Sequence, residues 1–168
     1  MFPSMFDAFY HVTKPTSFVI LWCDIMNWQF LYDCAMAAGF KVQRWPIVWH
    51  KLHTCKNQAA HINFTKNTEL AMVCRREKAS LYTPMSSSVV TAAGGDKSSN
   101  PFAKPAEVWD FLLDAVTWKG NTVLDPFMGE GSSLVPGYNC QRRMIGIEVD
   151  EQHYNYTISN IKTYWIEQ

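Results

Sequence analysis

The chain has 168 residues, with 15 Lys and Arg against 15 Asp and Glu, and 48% of its residues are hydrophobic. This length suits one domain, and the composition excludes an intrinsically disordered chain. The longest apolar run, residues 17–23, is much shorter than the roughly 20 residues of a membrane-spanning helix, and it lies too far into the chain for a signal peptide. We therefore expect a cytoplasmic protein without a membrane partner.

Charge and cysteine content argue against two further kinds of protein, a strongly basic nucleic-acid binder and a disulfide-stabilised domain. A net charge of zero gives no overall electrostatic attraction to nucleic acid, so any DNA contact must come from local groups. The cysteines are odd in number and form no CxxC pair, which favours reduced, buried thiols over a disulfide framework. They are Cys23, Cys34, Cys55, Cys74 and Cys140.

The first half of the chain alternates strands and helices. Residues 18–22 are apolar without alternation, which is typical of a strand covered on both faces and favours a mostly parallel sheet. Pro46 predicts an edge, a bulge or a break in the second strand. The predicted elements are a helix at 2–12, a strand at 18–22, a helix that begins after Asp24 or Asn27 and ends at Gly39, and strands at 40–49 and 69–74.

The second half begins with a change of composition. Residues 84–99 are rich in Ser, Ala and Gly, and we predict a flexible connector between a first half (1–83) and a second half (100–168) of one domain. The elements predicted after it are a helix from Pro105 to Gly120, a strand at 122–124, a loop and short helix, a strand at 144–149 and a last helix whose apolar face carries Tyr154, Ile158, Ile161 and Trp165.

The loop after Leu124 has the features of a nucleotide site. Gly129 and Gly131 would let the main chain approach a ligand closely. Glu148, at the end of the next strand, could accept both hydroxyl groups of a ribose. The succession of strand, glycine loop, helix, strand and acid predicts a nucleoside-binding site.

Charge distinguishes between two classes of nucleotide. In a dinucleotide-binding loop a third glycine would stand where this chain has Leu134. Glu130 in the loop would repel a pyrophosphate, whereas S-adenosylmethionine carries no phosphate and has a positive sulfonium that tolerates Asp125 and Glu130. The loop therefore favours S-adenosylmethionine over NAD.

These segments resemble the DNA amino-methyltransferases, the N6-adenine and N4-cytosine group, in their β-type circular order. Residues 125–132 (DPFMGEGS) are similar to that family's cofactor loop, 143–150 (RMIGIEVD) to its ribose-binding strand, and 100–105 (NPFAKP) to the segment at the methionine end of the cofactor. The late position of the cofactor loop also fits this order. Three upstream segments, residues 12–15, 45–51 and 67–75, are also similar to strand pieces of the family, so the resemblance covers nearly the whole chain.

The resemblance implies an α/β, Rossmann-like fold with a mostly parallel sheet in circularly permuted order. It also implies site-specific methyl transfer from S-adenosylmethionine to an exocyclic amine of adenine (N6) or cytosine (N4) in double-stranded DNA. The residues it assigns to the cofactor are Asn100, Phe102 and Lys104 at the methionine end, Asp125, Phe127, Gly129, Gly131 and Ser132 along the loop, and Glu148 at the ribose.

The catalytic motif of this family is not found in the sequence. That motif is an Asp, Asn or Ser followed by Pro-Pro and an aromatic residue, and the chain contains no Pro-Pro. In the β-type order it would precede the first helix, so we expect that it and a central strand lie outside this chain, and no catalytic residue is assigned. An alternative is an inactive remnant or cofactor-binding subunit that binds DNA or a protein partner.

Residues 50–67 form a polar loop with two candidate roles. Lys51, Lys56 and Lys66 could contact DNA phosphates, although solvated lysines explain the pattern nearly as well. The loop's histidines and Cys55 have no recognised metal-ligand spacing, so no metal site is predicted. Sequence recognition could also come from a partner subunit or a second copy of the chain.

Overall fold

The computed structural model describes residues 2–52, 59, 61–84, 87–94 and 103–166. These residues form two compact units, 1–92 and 93–168. The first unit contains α1 (Phe2–Val12), β1 (Phe18–Cys23), a 3₁₀ turn (Ile25–Asn27), α2 (Trp28–Ala37), β2 (Lys41–Val42), β3 (Ile47–Lys51), β4 (Thr68–Arg75) and β5 (Val89–Ala92). Strand β5 lies inside the stretch that the sequence predicts as a connector.

The sheet of the first unit has the order β1-β4-β3-β5, and β2 also pairs with β4. Strand β4 runs antiparallel to β1, β2 and β3, whereas β3 and β5 are parallel. The prediction of a mostly parallel sheet is therefore wrong for this unit. A strand buried on both faces has the same composition whichever way its neighbour runs, so the apolar run in β1 did not encode direction.

Helices α1 and α2 cover this sheet around a small apolar core. Phe6 of α1 is fully buried, and its ring lies 6.0 Å from that of Phe9 and 6.3 Å from that of Phe40. Met72 and Cys74 of β4 are also fully buried in this core. Edge-to-face ring pairs of this kind stabilise a core beyond the area that they bury.

Two breaks in the first unit follow the sequence signals. Asp24 accepts a hydrogen bond from the Met26 amide at 3.0 Å and starts the 3₁₀ turn that leads into α2. Gly39 leaves α2 with φ +96°, a conformation that favours glycine. Residues 43–46 separate β2 from β3, so the single strand predicted at 40–49 is interrupted at Pro46. Proline has no N–H to donate to a strand ladder.

The second unit contains α3 (Ala106–Val116), β6 (Thr122–Asp125), α4 (Leu134–Asn139), β7 (Arg143–Gly146) and α5 (Glu151–Ile166). Strands β6 and β7 are parallel, with Asp125 opposite Gly146. Arg142 is buried and donates to the carbonyls of Leu113 and Thr117 at 3.3 and 3.1 Å. The last carbonyl groups of a helix have no partners within the helix, and Arg142 satisfies two of them where α3 ends.

No helix in the described part of the chain is both long and apolar enough to cross a lipid bilayer.

Candidate functional site

The turn that follows β6 is closed by the side chain of Asp125. Its Oδ1 accepts the Phe127 amide at 3.1 Å, and its Oδ2 accepts the hydroxyl of Ser133 at 2.6 Å. Ser133 is buried and immediately precedes α4. Asp125 therefore fixes both ends of the turn, a role that its place in a cofactor loop did not reveal.

Within this turn, two glycines adopt the left-handed region, Gly129 with φ +53° and Gly131 with φ +77°. Space as well as backbone angle requires glycine at position 131, because a Cβ there would lie 2.6 Å from the Thr157 methyl carbon. The main chain between Met128 and Ser132 is consequently bare of side chains at two of its residues. Such a turn lets a ligand approach the backbone closely.

The turn is hydrogen-bonded to the segment that follows β7. The Met128 amide donates to the Ile147 carbonyl at 3.0 Å, and the Ile147 amide donates to the Asp125 carbonyl at 2.9 Å. The Gly129 amide donates to Oε2 of Glu148 at 2.8 Å. Gly129 and Glu148, which are nineteen residues apart in sequence, are thereby held in one site.

Glu148 lies two residues beyond the end of β7 at Gly146, not at the tip of the strand as predicted. The residues from Ile147 onward leave the ladder to form the turn before α5. There Oε1 of Glu148 accepts the amides of Val149 and Asp150, both at 2.8 Å. A carboxylate offers about four acceptor positions, so the three amides leave room for about one more donor in this conformation.

The hydrogen bond from the Asp150 amide, together with those from Gly129 and Val149, holds the pKa of the Glu148 carboxyl below its ordinary value. Partial desolvation acts in the opposite direction and is outweighed. Glu148 is therefore ionised at neutral pH. An ionised carboxylate accepts hydrogen bonds and donates none, as a site for sugar hydroxyls requires.

An open cleft of about 370 Å³ lies beside this turn in the second unit. Its polar lining consists of Lys104, Glu107, Glu130, Ser132, Tyr156 and Asn160. One ammonium and two carboxylates thus face a volume large enough for the amino-acid end of a small zwitterion. Tyr156 and Asn160 were not predicted, although their spacing of four residues places them on one face of α5.

The predicted cofactor residues fall into three groups. Lys104 and Ser132 line the cleft. Phe127 lies in the turn and is 61% exposed. Asp125, Gly129, Gly131 and Glu148 build the turn and its hydrogen bonds. Asn100 and Phe102 lie outside the described residues, so their predicted place at the methionine end stays a prediction.

The predicted DNA-contacting lysines belong to the first unit. Lys51 is 2.6 Å from Oε1 of Glu69 and lies 4.8 Å from the centre of the Trp49 ring. Lys66 is 3.0 Å from Oδ2 of Asp24, and both of these side chains are exposed. Each of these two described lysines therefore has a carboxylate beside it, which reduces its attraction for phosphate. Lys56 lies outside the described residues.

Metal binding in the same loop has no support among the described residues. His53 and Cys55 lie outside them, and no group of three or more candidate ligands occurs in the part that is described.

Comparison with known proteins gives consistent matches. Residues 87–159, which include the glycine turn and Glu148, match the DNA methylase family. The type II methyltransferase M.BglI of Bacillus subtilis is 37% identical over 57 residues, which are 34% of this chain and 16% of that protein. The putative methylase YubD of Escherichia coli is 31% identical over 117 residues, which are 70% of this chain and 49% of that protein.

The fold comparison extends to nearly the full chain. The crystal structure of the M1.HpyAVI–SAM complex covers 95% of this chain and 81% of its own, with a TM-score of 0.78 and 19% identity. This likeness confirms the α/β, Rossmann-like methyltransferase fold. The chain itself spans no more than about half the length of either curated relative named above. The predicted resemblance is confirmed: residues 87–159 match the N6/N4 DNA methylase family, and the chain is similar to type II methyltransferases in sequence and to a solved methyltransferase in fold.

Proposed function

We propose that this chain binds S-adenosylmethionine at the glycine turn and forms part of an enzyme that methylates DNA. The acceptor is an exocyclic amine, N6 of adenine or N4 of cytosine, in double-stranded DNA. The observation that carries the proposal is the hydrogen bond from the Gly129 amide to Glu148. It brings a side-chain-free backbone and an ionised carboxylate into one site, as the sugar of a nucleoside requires.

The charges of the site suit the donor's chemistry. In this proposal Glu148 accepts a ribose hydroxyl, and the backbone of Gly129 and Gly131 passes close to the nucleoside. Phe127 and Ser132 line the donor, and Asp125 holds the turn. Glu130 would repel a pyrophosphate but tolerates a sulfonium. The structure thus supports a phosphate-free nucleoside better than a dinucleotide.

The amino-acid end of the donor is assigned to the cleft. It carries one carboxylate and one ammonium, and the cleft carries Lys104 with Glu107 and Glu130. In this proposal the charges of the cleft are opposite to those of the donor's amino-acid end, which favours binding of the zwitterion. The predicted residues Asn100 and Phe102 precede Lys104 in the chain and are assigned to the same end. When bound, the donor supplies an activated methyl group for direct transfer to an amine.

The DNA is assigned to the first unit, where Lys51, Lys56 and Lys66 would contact phosphates. Lys66 is the more exposed of the two described lysines and could exchange Asp24 for a phosphate at small cost, since exposed ion pairs contribute little. A partner subunit or second copy could supply further DNA contacts. We place the protein in the cytoplasm, where DNA and the donor are both available.

Methyl transfer can be tested with donor carrying a tritiated methyl group and with DNA, RNA or no acceptor. Mass spectrometry of the digested nucleic acid then identifies the product. We expect N6-methyladenine or N4-methylcytosine in DNA from a protein that combines this chain with a Pro-Pro catalytic motif. The 168 residues alone should bind the donor and yield no product. Methylation of RNA but not of DNA would overturn the assignment of substrate.

A further inference from the structure

Thr157, a buried residue of α5, contacts the glycine turn at two points. Its side chain is among the largest that are fully enclosed, with 1% exposure. Its hydroxyl donates to the Gly129 carbonyl at 3.0 Å. Its methyl carbon occupies the space beside Gly131, where a Cβ would lie 2.6 Å away. A polar side chain at the centre of the buried face of α5 is unusual, because a valine of the same shape would suit apolar packing.

The Gly129 residue is consequently held from two sides. Glu148 accepts its amide at 2.8 Å, and Thr157 donates to its carbonyl. Neither hydrogen bond belongs to a helix or a sheet ladder. The two bonds instead set the orientation of the backbone on either side of a residue with φ +53°, in a turn that the glycines leave conformationally free.

The same turn carries side chains of the cleft. Glu130 and Ser132 flank Gly131 in the chain, and both line the cleft together with Tyr156 and Asn160 of α5. Thr157 therefore connects the helix that forms one wall of the cleft to the turn that forms another. A change in its hydrogen bond would alter the turn without removing any residue that lines the cleft.

We infer that Thr157 is a positioning residue for donor binding: through its hydroxyl it holds the Gly129–Gly131 turn in the conformation that accepts S-adenosylmethionine. This inference rests on the proposed function. Thr157 does not line the cleft. It acts on donor binding only through its hydrogen bond to the Gly129 carbonyl. Because the free turn would sample other conformations, pre-organisation lowers the cost of binding.

The test compares three variants by calorimetry with S-adenosylmethionine and by thermal unfolding. Thr157→Val keeps the shape and the methyl beside Gly131 but removes the donor to the Gly129 carbonyl. Thr157→Ser keeps the hydroxyl and removes the methyl. Thr163→Val is the matched control, since Thr163 is exposed on the same helix and its hydroxyl bonds the Ser159 carbonyl at 3.1 Å.

We expect Thr157→Val to weaken donor binding about tenfold, the effect of one buried hydrogen bond. Thr157→Ser should bind within about twofold of the unchanged chain even if its melting temperature falls, because the hydroxyl remains. Thr163→Val should leave affinity unchanged. Equal affinities for Thr157→Val and the unchanged chain, or equal weakening by Val and Ser, would overturn the inference. Absence of binding by the unchanged chain would instead contradict the proposed function.

Discussion

The amide of Gly129 donates a 2.8 Å hydrogen bond to Oε2 of Glu148 and so joins the turn after β6 to the turn after β7. Both residues come from the carboxyl ends of adjacent parallel strands. In an open α/β sheet this edge is where ligands bind. The backbone amides of Gly129, Val149 and Asp150 thus hold the Glu148 carboxylate in position, and the carboxylate in turn holds the two turns together.

Glu148→Gln tests the role of the charge at this position. The amide keeps the size of the side chain, but its NH₂ group would face a backbone N–H, so one hydrogen bond to the turn is lost. We expect affinity for S-adenosylmethionine to fall about tenfold or more, as for a charge-assisted hydrogen bond. Calorimetry gives the dissociation constants. Glu151→Gln, a change at an exposed residue three positions later, should leave them unchanged, and equal effects of both changes would contradict this role.

The pH dependence of folding should contain a contribution from Glu148. Hydrogen bonds from backbone amides, first that of Asp150, lower the pKa of its carboxyl in the folded chain. Its contribution to stability is therefore complete above the unfolded pKa of about 4.3 and is lost as the pH falls through the folded value. Melting temperatures of the unchanged chain and of Glu148→Gln should differ at neutral pH and converge in acid. A difference that grows toward acid would have the wrong sign.

Gly131 and Gly120 separate the effects of space and of backbone angle. They have nearly equal angles, φ +77° and +79°, but a Cβ at 131 meets Thr157 while a Cβ at 120 meets nothing within 4 Å. We expect Gly120→Ala to lower the free energy of unfolding by about 1–2 kcal/mol through backbone strain alone. Gly131→Ala should lose about 1–3 kcal/mol more through overpacking. Urea unfolding measures both, and equal losses would show that the Thr157 contact is unimportant.

Cys74 should be chemically inert in the folded chain. Burial, with a smaller effect of Cys23, raises the pKa of its thiol to about 12, so only about one molecule in 10⁴ carries the reactive thiolate at pH 8. Treatment with iodoacetamide at pH 8, followed by peptide mass spectrometry, should find Cys74 unmodified. The same treatment in concentrated urea provides the control, in which Cys74 should react. Rapid modification of Cys74 without urea would contradict its burial in β4.

Local signals in the sequence predicted much of the second unit. The strand, glycine turn, helix, strand and acid around Gly129 and Glu148 follow one another as expected, because glycines, strand residues and capping positions act over a few residues. The sequence pattern predicts the end of β7 at residue 149, three residues too late, because the apolar residues Ile147 and Val149 continue the pattern of a strand after the ladder has ended at Gly146. Both of these side chains are exposed.

Features that depend on distant contacts were not predictable in the same way. The antiparallel direction of β4 depends on how the chain returns after β3, which composition does not record. Strand β5 has four residues in a stretch rich in Ser and Gly, and it forms because β3 offers it a partner. The predicted apolar face of α5 consists of Tyr154, Ile158, Ile161 and Trp165, whereas the most buried described residue of the helix is Thr157. A threonine gives no apolar signal in the sequence.

Calorimetric titration of the chain with S-adenosylmethionine and, separately, with NAD tests whether the glycine turn binds the methyl donor. We expect saturable binding of one S-adenosylmethionine per chain, weakened by Glu148→Gln, and no binding of NAD, because Glu130 opposes a pyrophosphate. Binding of NAD together with no binding of S-adenosylmethionine would contradict the assignment of the glycine turn.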